Sequence, residues 1–191
     1  MALNPRLSPK KLLLITGMPG AGKSTIAEET RDLGFDVIVM GDIIREETAS
    51  RGLPISDLNC GKVMEEIREE VGSSVIAKLS IPKILSCEKS RIAVDGVRSI
   101  AEVEEFKRSF PATLLLAVLA SPERRYDLIR KRSREDRPSD ESNFKSRDER
   151  ELRVGVREVM SIAEEVIMND VITLEELKIE VVAIVKKVFQ P

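Results

Sequence analysis

The chain has 191 residues, 42% of them apolar and 34% charged, and its 31 basic and 33 acidic residues leave a formal net charge of −2. That length holds one compact domain with insertions, and the near balance of charge excludes a whole-molecule basic field aimed at nucleic acid or anionic lipid. There is no histidine, which excludes triads and metal sites built on imidazole.

The N-terminal "MALNPRLSPKKLLLIT" carries an apolar stretch far too short for a signal peptide or a membrane span. No other run reaches spanning length, so no membrane partner is expected. Cys60 and Cys87 match no metal spacing, and a reducing cytoplasm is the expected compartment.

In chain order, Leu12 to Thr16 reads as a short buried strand, and Lys23 to Leu33 as a helix stopped by Gly34. "FDVIVM" (Phe35 to Met40) reads as a second strand. Gly41 turns the chain and Asp42 caps a helix over Ile43 to Arg51. Helices follow over Leu58 to Val71 and Ser73 to Cys87, the second kinked or interrupted by Pro82. Arg91 to Val97 is a third strand, Ile100 to Ser109 a helix, and "ATLLLAVLA" a fourth strand. Ser121 and Pro122 open a basic helix, "ERRYDLIRKRSR". The very polar "EDRPSDESNFKSRDERE" reads as a loop, and helical spacing resumes at Leu152, Val156, Val159 and Ile162. "VIMN" is a short fifth strand, and Thr173 with Glu176 forms a capping box for the last helix. Strands alternating with helices predict an α/β fold, a parallel sheet covered on both faces.

"LLLITGMPGAGKST" ends that first strand with G-x-x-x-x-G-K-[ST], met at every fixed position from Gly17 to Ser24. Glycines let the backbone curl so that successive N–H groups turn inward, and the helix start adds positive partial charge. Gly17, Met18, Pro19, Gly20, Ala21, Gly22, Lys23, Ser24 and Thr25 are therefore the expected polyphosphate-binding residues. Lys23 brings a full charge to the β and γ phosphates, and Ser24 a hydroxyl to Mg²⁺. The cofactors implied are ATP and Mg²⁺.

Asp95 closes the third strand in "VDGVRS", where a Walker B carboxylate would hold hydrated Mg²⁺; an Asp-Gly turn is the plainer alternative. Ser24 and Asp95 are the metal candidates. Asp42 in "MGDIIREE" has two readings, a helix cap or a carboxylate serving an alcohol acceptor.

"GMPGAGKS", "GDIIR" and "DGVR" resemble the corresponding stretches of adenylate kinase and its nucleoside monophosphate kinase relatives, and the whole chain resembles an archaeal family of adenylate-kinase-related P-loop proteins. The resemblance implies a P-loop α/β/α fold with a five-stranded parallel sheet in the order 2-3-1-4-5. It implies that Gly41, Asp42, Arg45 and Arg98 serve an acceptor nucleotide, with Arg45 and Arg98 on its phosphate. "AEEVIMNDVITLEEL" is similar to a stretch near the adenine pocket shared with dephospho-coenzyme A kinase, which implies Asn169 beside the donor base. "DGVR" is one residue shorter than the D-G-F-P-R of adenylate kinase and lacks its proline.

The expected organisation is one domain over 1–191, with core 10–41, 91–120 and 151–191, an acceptor insertion 42–90 and a lid 121–150. Arginine-bearing lids close over the transferring phosphoryl group in adenylate-kinase-like proteins. Arg130 and Arg134 share a helix face and are the first candidates, followed by Arg147 and Arg153. A solvated charged helix pair is the alternative. An RNA patch is disfavoured, because acids dilute the field and Phe144 is the loop's lone aromatic. The expected catalytic set is Lys23, Arg98, Arg130, Arg134 and Asp42. The expected activity is transfer of the γ-phosphoryl group from a nucleoside triphosphate to a nucleoside monophosphate such as AMP. An alcohol-acceptor kinase and a non-catalytic nucleotide sensor are the rivals.

Overall fold

The computed structural model describes residues 9–131 and 140–189, so Arg134 lies outside the described residues. Its elements run β1 (Lys11–Thr16), α1 (Lys23–Asp32), β2 (Asp36–Val39), α2 (Met40–Ser50), α3 (Asp57–Val71), α4 (Val75–Ser86), β3 (Arg91–Asp95) and α5 (Ile100–Ser109). β4 (Thr113–Leu119), α6 (Pro122–Arg130), α7 (Glu141–Val154), α8 (Val156–Ser161), β5 (Glu165–Met168) and α9 (Leu174–Phe189) follow. The five strands form one parallel sheet in the order β2-β3-β1-β4-β5. This is the expected P-loop kinase-like α/β/α fold.

Alternation along β1 divides the core. Leu12 and Leu14 face the side covered by α2, α3, α4, α5 and α8, while Leu13 and Ile15 face α1 and α9. All four side chains are fully buried, as a strand covered on both faces requires. The sheet's ends are stitched where the site lies. Thr16 Oγ1 donates to Val97 O at 2.8 Å, and the Gly96 and Val97 N–H groups donate to Ile15 O. The loops after β1 and β3 therefore leave the sheet side by side.

Three expectations are corrected. Gly41 and Asp42 do not turn or cap the chain: α2 starts at Met40, directly after β2, and its N-cap is Val39. Pro82 does not interrupt α4. Its ring removes one bond to the carbonyl of Lys78, and both residues are exposed, so water can satisfy that carbonyl while Ile76, Ser80 and Ile84 stay packed. The polar segment after 140 is not a loop. Asp140 caps α7 by accepting from Asn143 N, and Gly155, at φ +114°, breaks what reads as one helix into α7 and α8.

Glu102 organises the turn after β3. It completes the α5 capping box with Ser99, accepts from the backbone N–H of Arg98 at 2.7 Å, and pairs with Arg68 of α3 at 2.6 Å, with no exposure of its own. A buried carboxylate so used fixes a loop and a neighbouring helix together. Glu102→Ala, which strands Arg68 and two N–H groups, is expected to cost about 3 kcal/mol or more in urea unfolding; a loss under about 1 kcal/mol contradicts this role. Gly17→Ala and Gly155→Ala share a positive-φ penalty. Only the first drives a Cβ to 2.3 Å from a backbone oxygen, that of Val118. Gly17→Ala should therefore lower the unfolding midpoint well beyond the ~1–2 kcal/mol strain of Gly155→Ala.

Candidate functional site

The glycine loop is held by close approaches on three sides. Gly17 lies against the β4 backbone, and Gly20 against α6 at Arg125 O and the Ile129 side chain. Gly22 lies against Asn169, whose Nδ2 would be 2.5 Å from an added Cβ. Two side chains then grip the loop's carbonyls. Arg125 Nη1 donates to Pro19 O at 3.0 Å, and Asn169 Nδ2 donates to Ala21 O at 2.8 Å. With its carbonyls taken from behind, the loop is held as the family of phosphate cradles requires. Lys23 Nζ reaches Gly17 O at 2.6 Å and Met18 O at 3.0 Å. Lys23, Ser24 and Thr25 form the first turn of α1, all half-buried.

Ser24 Oγ donates to Asp95 Oδ2 at 3.2 Å, and the buried Asp95 Oδ1 has no hydrogen-bond partner among the described residues. An orphaned carboxylate oxygen beside a hydroxyl suits a hard cation that takes oxygen ligands. No cluster of three or more His, Cys, Asp or Glu forms a metal cage among the described residues. Mg²⁺ is a hard cation of the kind that Asp95 and Ser24 suit, and it keeps waters and phosphate oxygens as its other ligands. Ser24 and Asp95 are the residues that would hold it, where it would neutralise charge on the β and γ oxygens.

A small cleft is lined by Gly41, Ile44 and Arg45 of α2, Asp57, Cys60, Gly61 and Met64 of α3, Arg98, and Arg147, Arg150 and Glu151 of α7. α7 supplies its wall through polar contacts. Arg150 Nη2 donates to both oxygens of Asp57 at 2.9 Å, and Arg147 lies 3.3 Å from the same carboxylate. Gly61 makes room for this, since an added Cβ would stand 2.5 Å from the Arg150 guanidinium carbon. Glu151, 5% exposed, accepts from Arg98 Nε at 2.7 Å. Asp148 pairs bidentately with Arg125, which is 4% exposed and lies over the Phe144 ring. One helix thus touches α3, the loop after β3, and the loop-gripping arginine of α6.

Burial works against the charge on Arg98, but Glu151, Glu102 and Asp95 outweigh it and raise its pKa. Burial likewise pushes the Glu151 carboxyl up. Arg98, Arg147 and Lys23 outweigh it and hold the group below the usual carboxylate range. Both are therefore charged at neutral pH, and Lys23 acts electrostatically on the cleft's carboxylate.

Of the residues singled out from sequence, Gly41, Arg45, Arg98 and Arg147 come together on this cleft, and Ser24 and Asp95 meet beside the glycine loop. Asp42 is half-exposed, bonded to Arg45 at 3.1 Å on its own helix, and does not line the cleft. Arg130 is exposed and lies over Tyr126. Arg153 pairs with Glu65 on the outer side of α3. Asn169 is buried behind the loop with its amide on Ala21 O. Sequence reasoning missed Arg125, Asp57, Arg150, Asp148 and Glu151. The i, i+4 pair Arg125 and Ile129 in the basic helix is the signal that identifies its inward face.

Comparison with known proteins bears on the fold and the family. Residues 16–145 match a family model described as an AAA domain. A UPF0200 protein of Pyrococcus horikoshii is 39% identical over 93% of this chain and 97% of its own length. A UPF0200/UPF0201 protein of Archaeoglobus fulgidus is 44% identical over 83% of this chain, which spans only 50% of that longer protein. Among solved structures, shikimate kinase from Acinetobacter baumannii in complex with shikimate superposes with a TM-score of 0.58 at 16% identity, covering 94% of each chain. That likeness shows the fold, and the full-length match shows the lineage: the chain belongs to the UPF0200 family, built on an AAA-type P-loop domain.

Proposed function

We propose that this P-loop kinase-like protein transfers the γ-phosphoryl group of Mg²⁺–ATP to the phosphate of a nucleoside monophosphate such as AMP. The observation that carries the reading is the cleft beside the glycine loop, lined by the four guanidiniums of Arg45, Arg98, Arg147 and Arg150. A phosphate acceptor is already ionised near neutral pH and needs cations rather than a general base. In the transfer, an acceptor phosphate oxygen forms a bond to the γ phosphorus, and the bond from that phosphorus to the β–γ bridging oxygen breaks, leaving ADP. Lys23 and the loop amides bind the donor phosphates. Arg98 and its neighbours screen the repulsion between two anions and offset charge spread over the transferring oxygens.

The donor side rests on Gly17 to Thr25, with Ser24 and Asp95 for Mg²⁺. Within the expected lid 121–150, α6 and α7 are tied together by Arg125–Asp148. The free thiols Cys60 and Cys87 suit a cytoplasmic enzyme. No helix among the described residues is long and apolar enough to cross a membrane.

A hydroxyl acceptor is the second reading, favoured by the likeness to a shikimate kinase. The carboxylate it would use in sequence terms, Asp42, is committed to Arg45 and stands off the cleft lining.

A transfer assay with Mg²⁺–ATP against each nucleoside monophosphate, dephospho-coenzyme A and no acceptor separates the readings. Transfer to a monophosphate is expected, lost on removing Mg²⁺ with EDTA. Lys23→Ala should lower kcat by about 10²-fold or more. Arg98→Ala should raise the acceptor KM by about tenfold or more. Transfer to a hydroxyl alone overturns the acceptor assignment, and ATP binding without transfer to anything leaves a nucleotide sensor.

A further inference from the structure

The arginines of the cleft carry their own anions. Arg45 pairs with Asp42, Arg147 and Arg150 share Asp57, and Arg98 holds Glu151. The three carboxylates differ in how dry they are. The Asp42 side chain is 54% exposed and that of Asp57 19%, against 6% for Glu151. A charge acts more strongly the less water surrounds it, so Glu151 contributes most to the repulsion that an incoming anion meets. Its position is also the most central. Arg98 of the acceptor side bonds it, and Arg147 and the phosphate-loop residue Lys23 both act on it electrostatically. With Nε on Glu151 and Nη1 on Gly96 O at 2.9 Å, two sides of the Arg98 guanidinium are already engaged.

We propose that Glu151 is a specificity-determining residue: a resident counter-anion that competes with the acceptor's phosphate for Arg98 and keeps bare inorganic phosphate out of the cleft. This rests on the phosphate-acceptor reading and adds its selectivity. A phosphate monoester brings a second set of contacts from the group it is attached to, and these offset the repulsion from Glu151. Free phosphate has no such contacts and stays weakly bound. Glu151 also keeps Arg98 oriented between substrates, so the arginine need not be ordered anew at each turnover.

The test uses the full chain with its glycine loop saturated by Mg²⁺ and a non-hydrolysable ATP analogue, so that added inorganic phosphate reads the acceptor side. Binding of the analogue is measured first, which separates failure of the donor assignment from failure of this proposal. In calorimetric titration, Glu151→Gln is expected to bind phosphate about tenfold more tightly than the unsubstituted chain. Glu151→Asp, which keeps the charge, should stay within about threefold, and Arg98→Ala in the Glu151→Gln background should remove the gain. Glu151→Gln that binds phosphate no tighter, or Glu151→Asp that gains as much, overturns the proposal. A second readout needs no change at Glu151. The Arg98 Nε–H resonance, assigned by its loss in Arg98→Lys, should shift as phosphate saturates the unsubstituted chain and loosens the bond to Glu151. An unmoved resonance at saturation also overturns it.

Discussion

The charged side chains on the inner face of α7 reach three distant parts of the chain at once. Arg150 and Arg147 take Asp57 of α3, Glu151 takes Arg98 after β3, and Asp148 takes Arg125, which holds the carbonyl of Pro19 in the glycine loop. These contacts place the glycine loop and the arginine-lined cleft in one framework. Buried ion pairs of this sort add little net stability over well-packed apolar groups, but removing one partner leaves an uncompensated charge. Their contribution is orientation: a guanidinium held on two sides loses little freedom when a phosphate arrives.

The same framework explains the glycines. Gly20 and Gly22 let α6 and Asn169 press directly on the loop, and Gly61 lets the Arg150 guanidinium lie against α3. The loop is shaped from outside by Arg125 and Asn169, which take the carbonyls of Pro19 and Ala21. Asp95 closes the arrangement, because β3 runs beside β1 in register and delivers its carboxylate next to Ser24.

The strands and the phosphate loop were legible because they depend on local signals, namely apolar runs, caps and glycines at fixed spacing, whereas the strand order came from the resemblance to adenylate kinase and its relatives. Ser121 with Pro122 and Thr173 with Glu176 open their helices as the sequence predicts. α7 was illegible for a physical reason. Its inner face is Phe144, Arg147, Asp148 and Glu151, so a helix packed through charge shows almost no apolar period. Its main partner, Asp57, lies 93 residues from Arg150 in sequence, and nothing local announces the pair. Helical phase decides which basic residues of α6 turn toward the glycine loop. Arg125 and Ile129 point inward while Arg130, one step on, points out. Asp42 was misread because β2 passes into α2 without the turn that Gly41 suggests.

The central claim is that two anion sites face each other, one made of backbone amides and Lys23, the other of the arginines of the cleft. A compound with two adenosines joined by five phosphates spans both sites at once, and its affinity relative to the non-hydrolysable ATP analogue measures that geometry most directly. The account predicts that, with Mg²⁺ present, it binds about 10²-fold or more tightly than the ATP analogue, with Arg98→Ala removing most of the advantage. Equal affinity for the two compounds would contradict it.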